Sequence, residues 1–165
     1  PLAILDALRS GSMFTVLGDL IDRLELTARD RRRAAPMGGT LLSERGEDVT
    51  VTVRVRVPSR PNFGGLRPAL HHIDLIAGDV LGPSADRDAM TNPTTKVVAQ
   101  MPVSEARREG DFLTFHYRFP QARQSFYVRV RGTNLNVDAP RMDTPNVYPW
   151  DNLWFYSNPI QVRLT

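Results

Sequence analysis

Five valines set the first expectation. In GEDVTVTVRVRVPS, Val49, Val51, Val53, Val55 and Val57 alternate with Thr50, Thr52, Arg54 and Arg56. A strict period of two puts the valines on one face of a strand and the polar residues on the other, as in an antiparallel sheet with one wet side. DFLTFHYRFP sets Leu113, Phe115, Tyr117 and Phe119 opposite Phe112, Thr114, His116 and Arg118, and SFYVRVRGTN sets Phe126, Val128 and Val130 opposite Tyr127, Arg129 and Arg131. These two segments are expected to be neighbours in one sheet. SMFTVLGDLIDRLEL predicts two short strands punctuated by Gly18-Asp19; HHIDLIAGDV and KVVAQMPV add one each, and LWFYS and IQVRLT close the series. TARDRRRAAPMGG, SRPNFGGLRPAL and SEARREGD read as loops or turns. Ahead of all this, PLAILDALRSG spaces Leu2, Leu5 and Leu8 as in a helix and ends it at Gly11.

The expectation is an all-β fold: an antiparallel two-sheet β-sandwich of about seven to nine strands, preceded by one short N-terminal helix. Thirteen prolines and eleven glycines among 165 residues fit many short strands and turns. Residues 1–11 read as the last element of a preceding domain, and residues 12–165 as the sandwich.

Charge and composition narrow the function classes. A net charge of +3 is too small for the basic footprint of a nucleic-acid module, and no apolar run approaches a bilayer span, so neither nucleic acid nor membrane is an expected partner. With no cysteine, disulfides and thiolate chemistry are excluded. Lys96 is the single lysine among 21 basic residues, an arginine bias that says little about function by itself.

HHIDLIAGDV invites a metal reading, but alternation sends His71 and His72 to opposite faces. His72 and Asp74 do share a face, enough for two ligands where a metal needs at least three. A strand with one wet side is the simpler expectation, with Gly78-Asp79 as its closing turn. A stand-alone hydrolase built on His72 and Asp74 is the weakest of three functional readings. No Gly-x-Ser-x-Gly elbow is present. The late loop, residues 134–152, is long enough to imply a role. Its oxygen donors include Asp138, Asp143, Asn146, Asp151 and Asn152, whose spacing does not match an EF-hand. Trp150, Trp154 and Tyr156 offer either a sugar-stacking platform or a plug for one end of the core. Asp143, Asn146, Trp150, Asp151, Trp154 and Asn158 are therefore the candidate binding residues, with no catalytic or metal-ligating residue assigned.

The order of segments carries a further signal. ALRSGSMFTVLGDLID, then MGGTL, a valine-alternating strand, HIDLIAGDV and WFYSNPIQV resemble the C-terminal region of bacterial metallohydrolases of the polymerase-and-histidinol-phosphatase superfamily, over residues 7–162. The resemblance implies a β-sandwich appended to a metal-binding barrel and a final strand opened by Asn158-Pro159-Ile160. It also implies a parent enzyme that hydrolyses phosphoesters or related bonds with divalent metal ions, held by histidines and acidic residues that have no counterpart in this chain. The expected partners are that upstream catalytic domain and, through the exposed helix, a second copy of the chain. The alternative is an autonomous carbohydrate- or surface-binding module using the late loop.

Overall fold

The computed structural model describes residues 2–83, 86, 88–138 and 150–165. Its architecture is an all-β sandwich with a short N-terminal helix, α1 (Leu2–Ser10).

The valine strand, β5 (Val49–Arg56), is the centre of a five-stranded sheet. It pairs antiparallel with β2 (Arg23–Arg29) on one side and β9 (Phe112–Phe119) on the other, placing Leu26, Val53 and Phe115 in one row. The edges are β3 (Ala34–Pro36) beside β2 and β8 (Arg107–Glu109) beside β9. Val49, Val51, Val53 and Val55 are at most 1% exposed, and burial of each such side chain stabilises the fold by about 1.5–3 kcal/mol. The opposite face is wet and zipped by charge: Arg54 pairs with Glu25, Arg56 with Asp22, and the Arg54 guanidinium lies 4.4 Å over the Phe112 ring.

In the second sheet, β7 (Lys96–Pro102) pairs with β6 (His72–Asp79), and β6 with β10 (Phe126–Thr133). The far edge of β10 is shared by two strands in line, β11 (Trp154–Ser157) and β12 (Ile160–Leu164). Outside them lie β1 (Phe14–Leu17), antiparallel to β11, and β4 (Thr40–Ser43), parallel to β12. That parallel pair departs from the all-antiparallel expectation. It arises because the chain leaves β3 in one sheet and enters the other through Gly38 and Gly39, arriving in the same direction as β12.

All nine strands read from periodicity are present. The three others, β3, β4 and β8, have three or four residues, too few for alternation to register. The expected pairing of DFLTFHYRFP with SFYVRVRGTN is wrong: β9 and β10 lie in opposite sheets. Residues 120–125 carry the chain across, and Phe119 and Phe126 meet between the sheets with ring centroids 4.6 Å apart.

The helix stops as its sequence requires. Gly11, at φ 68°, donates to the Leu8 carbonyl and Ser12 to the Ala7 carbonyl, a Schellman end. No residue of α1 is buried, so the helix is held at its C-terminal end. There Asn158 Nδ2 donates to the Gly11 carbonyl at 3.1 Å, and the Asn158 amide to the Met13 carbonyl at 3.2 Å. Gly38, at φ 82°, donates its amide to Pro159 and lies so close that a Cβ would overlap the Ser10 and Gly11 carbonyls. Gly38→Ala is expected to lower stability by about 2 kcal/mol and unseat the helix. Urea unfolding and amide exchange at Gly11 to Met13 check this; unchanged protection at those amides would contradict it.

Candidate functional site

The outward face of the second sheet is where the structure gathers chemistry. Register places Leu17, Trp154, Thr133, His72 and Pro102 in one row across the strands, and Thr15, Tyr156, Arg131, Asp74 and Gln100 in the next. The inward residues of β6, Ile73 and Leu75, belong to the main core. Yet His72, Asp74 and Trp154 on the outward side are only 2%, 1% and 3% exposed. The expectation of a strand with one wet side is therefore overturned: β6 is buried on both faces. Gly78 is also not a turn residue. It lies inside β6, where a Cβ would press on the Tyr127 ring and Thr95 Oγ1.

The buried charges satisfy one another. Arg131 Nε donates to Asp74 Oδ2 at 2.7 Å, and Gln100 Nε2 to Asp74 Oδ1 at 3.3 Å. The Arg131 guanidinium sits 5.8 Å from the Trp154 ring centroid, and Trp154 stacks on Tyr156 with an interplanar angle of 18°. Burial raises the Tyr156 phenol above its ordinary value, with Arg131 and Arg129 acting in the opposite direction.

Beside this row the two adjacent histidines touch. His71 lies one residue before β6, so strand alternation does not govern it, and its Nδ1 is 2.8 Å from His72 Nδ1. The expectation that the two imidazoles diverge is thus corrected. One ring must donate and the other accept. Asp74 Oδ1 lies 3.7 Å from His72 Nε2, near enough to favour a proton on Nε2 electrostatically, and in that tautomer His71 is the donor. The exposed His71 thus meets the buried His72, whose Nε2 stops 3.7 Å short of Asp74 Oδ1. Burial depresses the His72 pKa, Asp74 opposes this, and His71 and Arg131 add to it.

Of the candidate binding residues, Asp143 and Asn146 lie outside the described residues. The two ends of the late loop are tied by Asn134, whose Nδ2 donates to the Asp151 carbonyl at 2.7 Å and whose Oδ1 accepts from the Leu153 amide at 2.8 Å. The Asp151 side chain is exposed. Trp150 packs away from the Trp154 and Tyr156 pair: its ring is 5.3 Å from Phe63, and its carbonyl accepts from buried Asn62. Trp154 donates Nε1–H to Asn152 Oδ1. Asn158 is occupied with the end of α1, as above. The structure thus joins Trp154 to the His72 and Asp74 neighbourhood and leaves Trp150, Asp151 and Asn158 in other surroundings. Arg131 and His71 were missed; the signal available was Arg131 on the same face as Tyr127 and Arg129.

Among the described residues no group of three His, Asp or Glu side chains is arranged to hold a metal ion, and no helix is long and apolar enough to cross a membrane. Compared with protein-family models, curated proteins and solved structures, the chain matches none.

Two outcomes follow from the geometry. Because the folded chain protonates His72 less readily than the unfolded one, this contribution to stability is full above about pH 6.5 and is lost as pH falls toward the lower folded value. Urea midpoints between pH 7.5 and 5 should fall less steeply in His72→Gln than in the unsubstituted chain; equal slopes would show that another group governs the loss. Asp74→Ala leaves half-buried Arg131 without its carboxylate partner, though still donating to the Asp138 carbonyl, and should lower stability by about 2 kcal/mol, whereas Asp74→Asn, which keeps an acceptor, should lower it less.

Proposed function

We propose that the chain is a non-catalytic accessory β-sandwich of a larger metal-dependent hydrolase of the polymerase-and-histidinol-phosphatase type, packing on or shaping access to the catalytic domain. The observation that carries this is α1. Leu2, Ile4, Leu5 and Leu8 are between 45% and 73% exposed on a helix that buries nothing against its own sandwich, yet is fixed to it by a Schellman turn, Asn158 and Gly38. An apolar face held in a set direction is a surface made to be covered.

The resemblance gains a physical rationale from the same place. Its short motifs, the Ser-Gly after the helix, Met-Gly-Gly and Asn-Pro-Ile, are far apart in sequence and meet at this one junction. On this reading they share the task of orienting the sandwich against whatever α1 packs on. Divalent metal ions would be held by the catalytic domain and supply its hydrolytic chemistry, while this chain supplies shape.

Two tests apply. The coding sequence upstream of Pro1 is expected to hold a barrel-sized stretch with His-x-His and further His and Asp motifs; a different domain there overturns the assignment. Leu5→Glu combined with Leu8→Glu should leave the unfolding free energy of the isolated chain, read by urea titration, within about 0.5 kcal/mol of the original, since exposed positions are nearly neutral. In the longer protein the same pair should loosen the sandwich, seen as faster proteolysis after Ser10, and an unaltered digestion pattern there would count against the docking role.

A further inference from the structure

We propose that a cleft between the two sheets is a binding site for a short oligosaccharide, a role that goes beyond the accessory reading and does not depend on it. The cleft has a volume of about 870 Å³ and lies open along one side, between the ends of β6 and β7 and the 120–125 crossing. That volume falls within the roughly 300–1,000 Å³ of small-molecule sites.

It exists because the sandwich is left unfilled there. The β5 valines belong to the main core, but toward the end of β6 the inward residue is the small Ala77, which lines one wall of the cleft while Tyr117 and Phe119 line the other. Both rings are only partly buried. They are braced, Tyr117 edge-on to Phe119 at 4.9 Å and Phe119 against Phe126 at 4.6 Å. The part of these rings left open is apolar area facing the cleft.

The rim is polar and of mixed sign. Asp79 and Lys96 stand on the strand side, with Gln121, Arg123 and Gln124 on the crossing. In a chain whose other twenty basic residues are all arginine, the one lysine is at this mouth. Gln121 is also one of two described non-glycine residues with positive φ, at 45°, a position after Pro120 that glycine or asparagine would ordinarily fill. It is held there from outside the cleft: Asp48 Oδ1 accepts the Gln121 amide at 2.9 Å, and Asp48 is itself fixed by Arg118. The Arg118–Asp48 pair thus holds the backbone of a strained residue at the rim of the cleft, where strain often accompanies function.

The ligand class follows from the mixture. An acyl chain needs an enclosed apolar tunnel, which an open cleft does not supply. A pyranose has an apolar C–H face that suits Tyr117 and Phe119, and equatorial hydroxyls that both donate and accept, matching the amides, carboxylate and ammonium of the rim. The open side lets one face of the sugar stay hydrated and lets a chain continue out of the site.

The test is a titration of the full chain, followed by amide resonances, with separate hexaoses of β-1,4-glucose, α-1,4-glucose, xylose, N-acetylglucosamine and galacturonate. The expected result is saturable shifts at residues 77–79, 96–98 and 117–124 with at least one of them, at a Kd of roughly 0.1–1 mM. A preference for galacturonate lost at high salt would assign the excess positive charge of Lys96 and Arg123 to a uronate; a salt-insensitive response to a neutral hexaose would assign a neutral sugar. Gln121→Gly relieves the positive φ and is expected to hold or raise the urea midpoint while weakening binding about fivefold or more. Gln124→Ala, exposed and unstrained, should weaken it as well. No shifts at about 10 mM of any hexaose, shifts confined to Trp150 and Trp154, or binding unaffected by both substitutions would each overturn the proposal.

Discussion

Pro159 has no amide hydrogen, so the strand that runs along the edge of β10 must break between Ser157 and Ile160. Much of the organisation of this molecule depends on that break. It divides one edge into β11 and β12, which accept different neighbours, β1 antiparallel and β4 parallel. It also releases backbone groups that a continuous ladder would have used. The Pro159 carbonyl takes the Gly38 amide, and Asn158 takes the end of α1. One missing donor thus sets where the chain passes from sheet to sheet and where the helix is mounted. Gly11 and Gly38 are glycines for the same reason: both backbones close on this point with positive φ, and at Gly38 a Cβ would overlap the Ser10 and Gly11 carbonyls.

The second unusual investment is a buried polar row on the face away from the core. Desolvating an aspartate, an arginine and an imidazole is unfavourable unless each finds partners, and an aliphatic face would have been simpler. Asp74 is satisfied by Arg131 and Gln100, and Arg131 also lies near Trp154. His72 is less well served: its Nε2 has no partner at hydrogen-bonding distance, and Asp74 stands 3.7 Å away. Such a network fixes register, because sliding β6 by one residue against β10 would bring Ile73 opposite Arg131 and leave both charges unmatched. That role requires no ligand.

Alternation made the long strands legible because β5, β9 and β10 each run for eight residues, long enough for a period of two to stand out. It reports which side chains share a face, but not which sheet a strand joins, and so β9 and β10 were paired when Phe119 and Phe126 instead face each other across the sandwich. Nor does it tell whether the second face of a strand is wet. His72 and Asp74 look like solvent residues until the neighbouring rows bring Trp154 and Arg131 beside them. Gly78 read as a turn because glycine is commonest there; the constraint from the Tyr127 ring is a contact across strands, invisible along the chain. The touching of His71 and His72 was hidden because the rule of opposite faces stops at the first residue of the strand.

Three features therefore divide the molecule's chemistry by what each is already occupied with. In the polar row Asp74 and Arg131 are already committed, to each other, to Gln100 and to the Asp138 carbonyl. The apolar face of α1 is uncommitted but convex and uniform, which suits a protein surface and gives little discrimination among small molecules. The cleft is both uncommitted and mixed, with aromatic walls, a rim of both charge signs, and a strained residue held at its lip by Asp48. Recognition of a small polar ligand needs that combination of unfilled concave apolar area and unspent hydrogen-bonding groups. Among the described residues the cleft leaves that combination open, whereas the histidine pair and Trp150 and Trp154 are engaged with their neighbours.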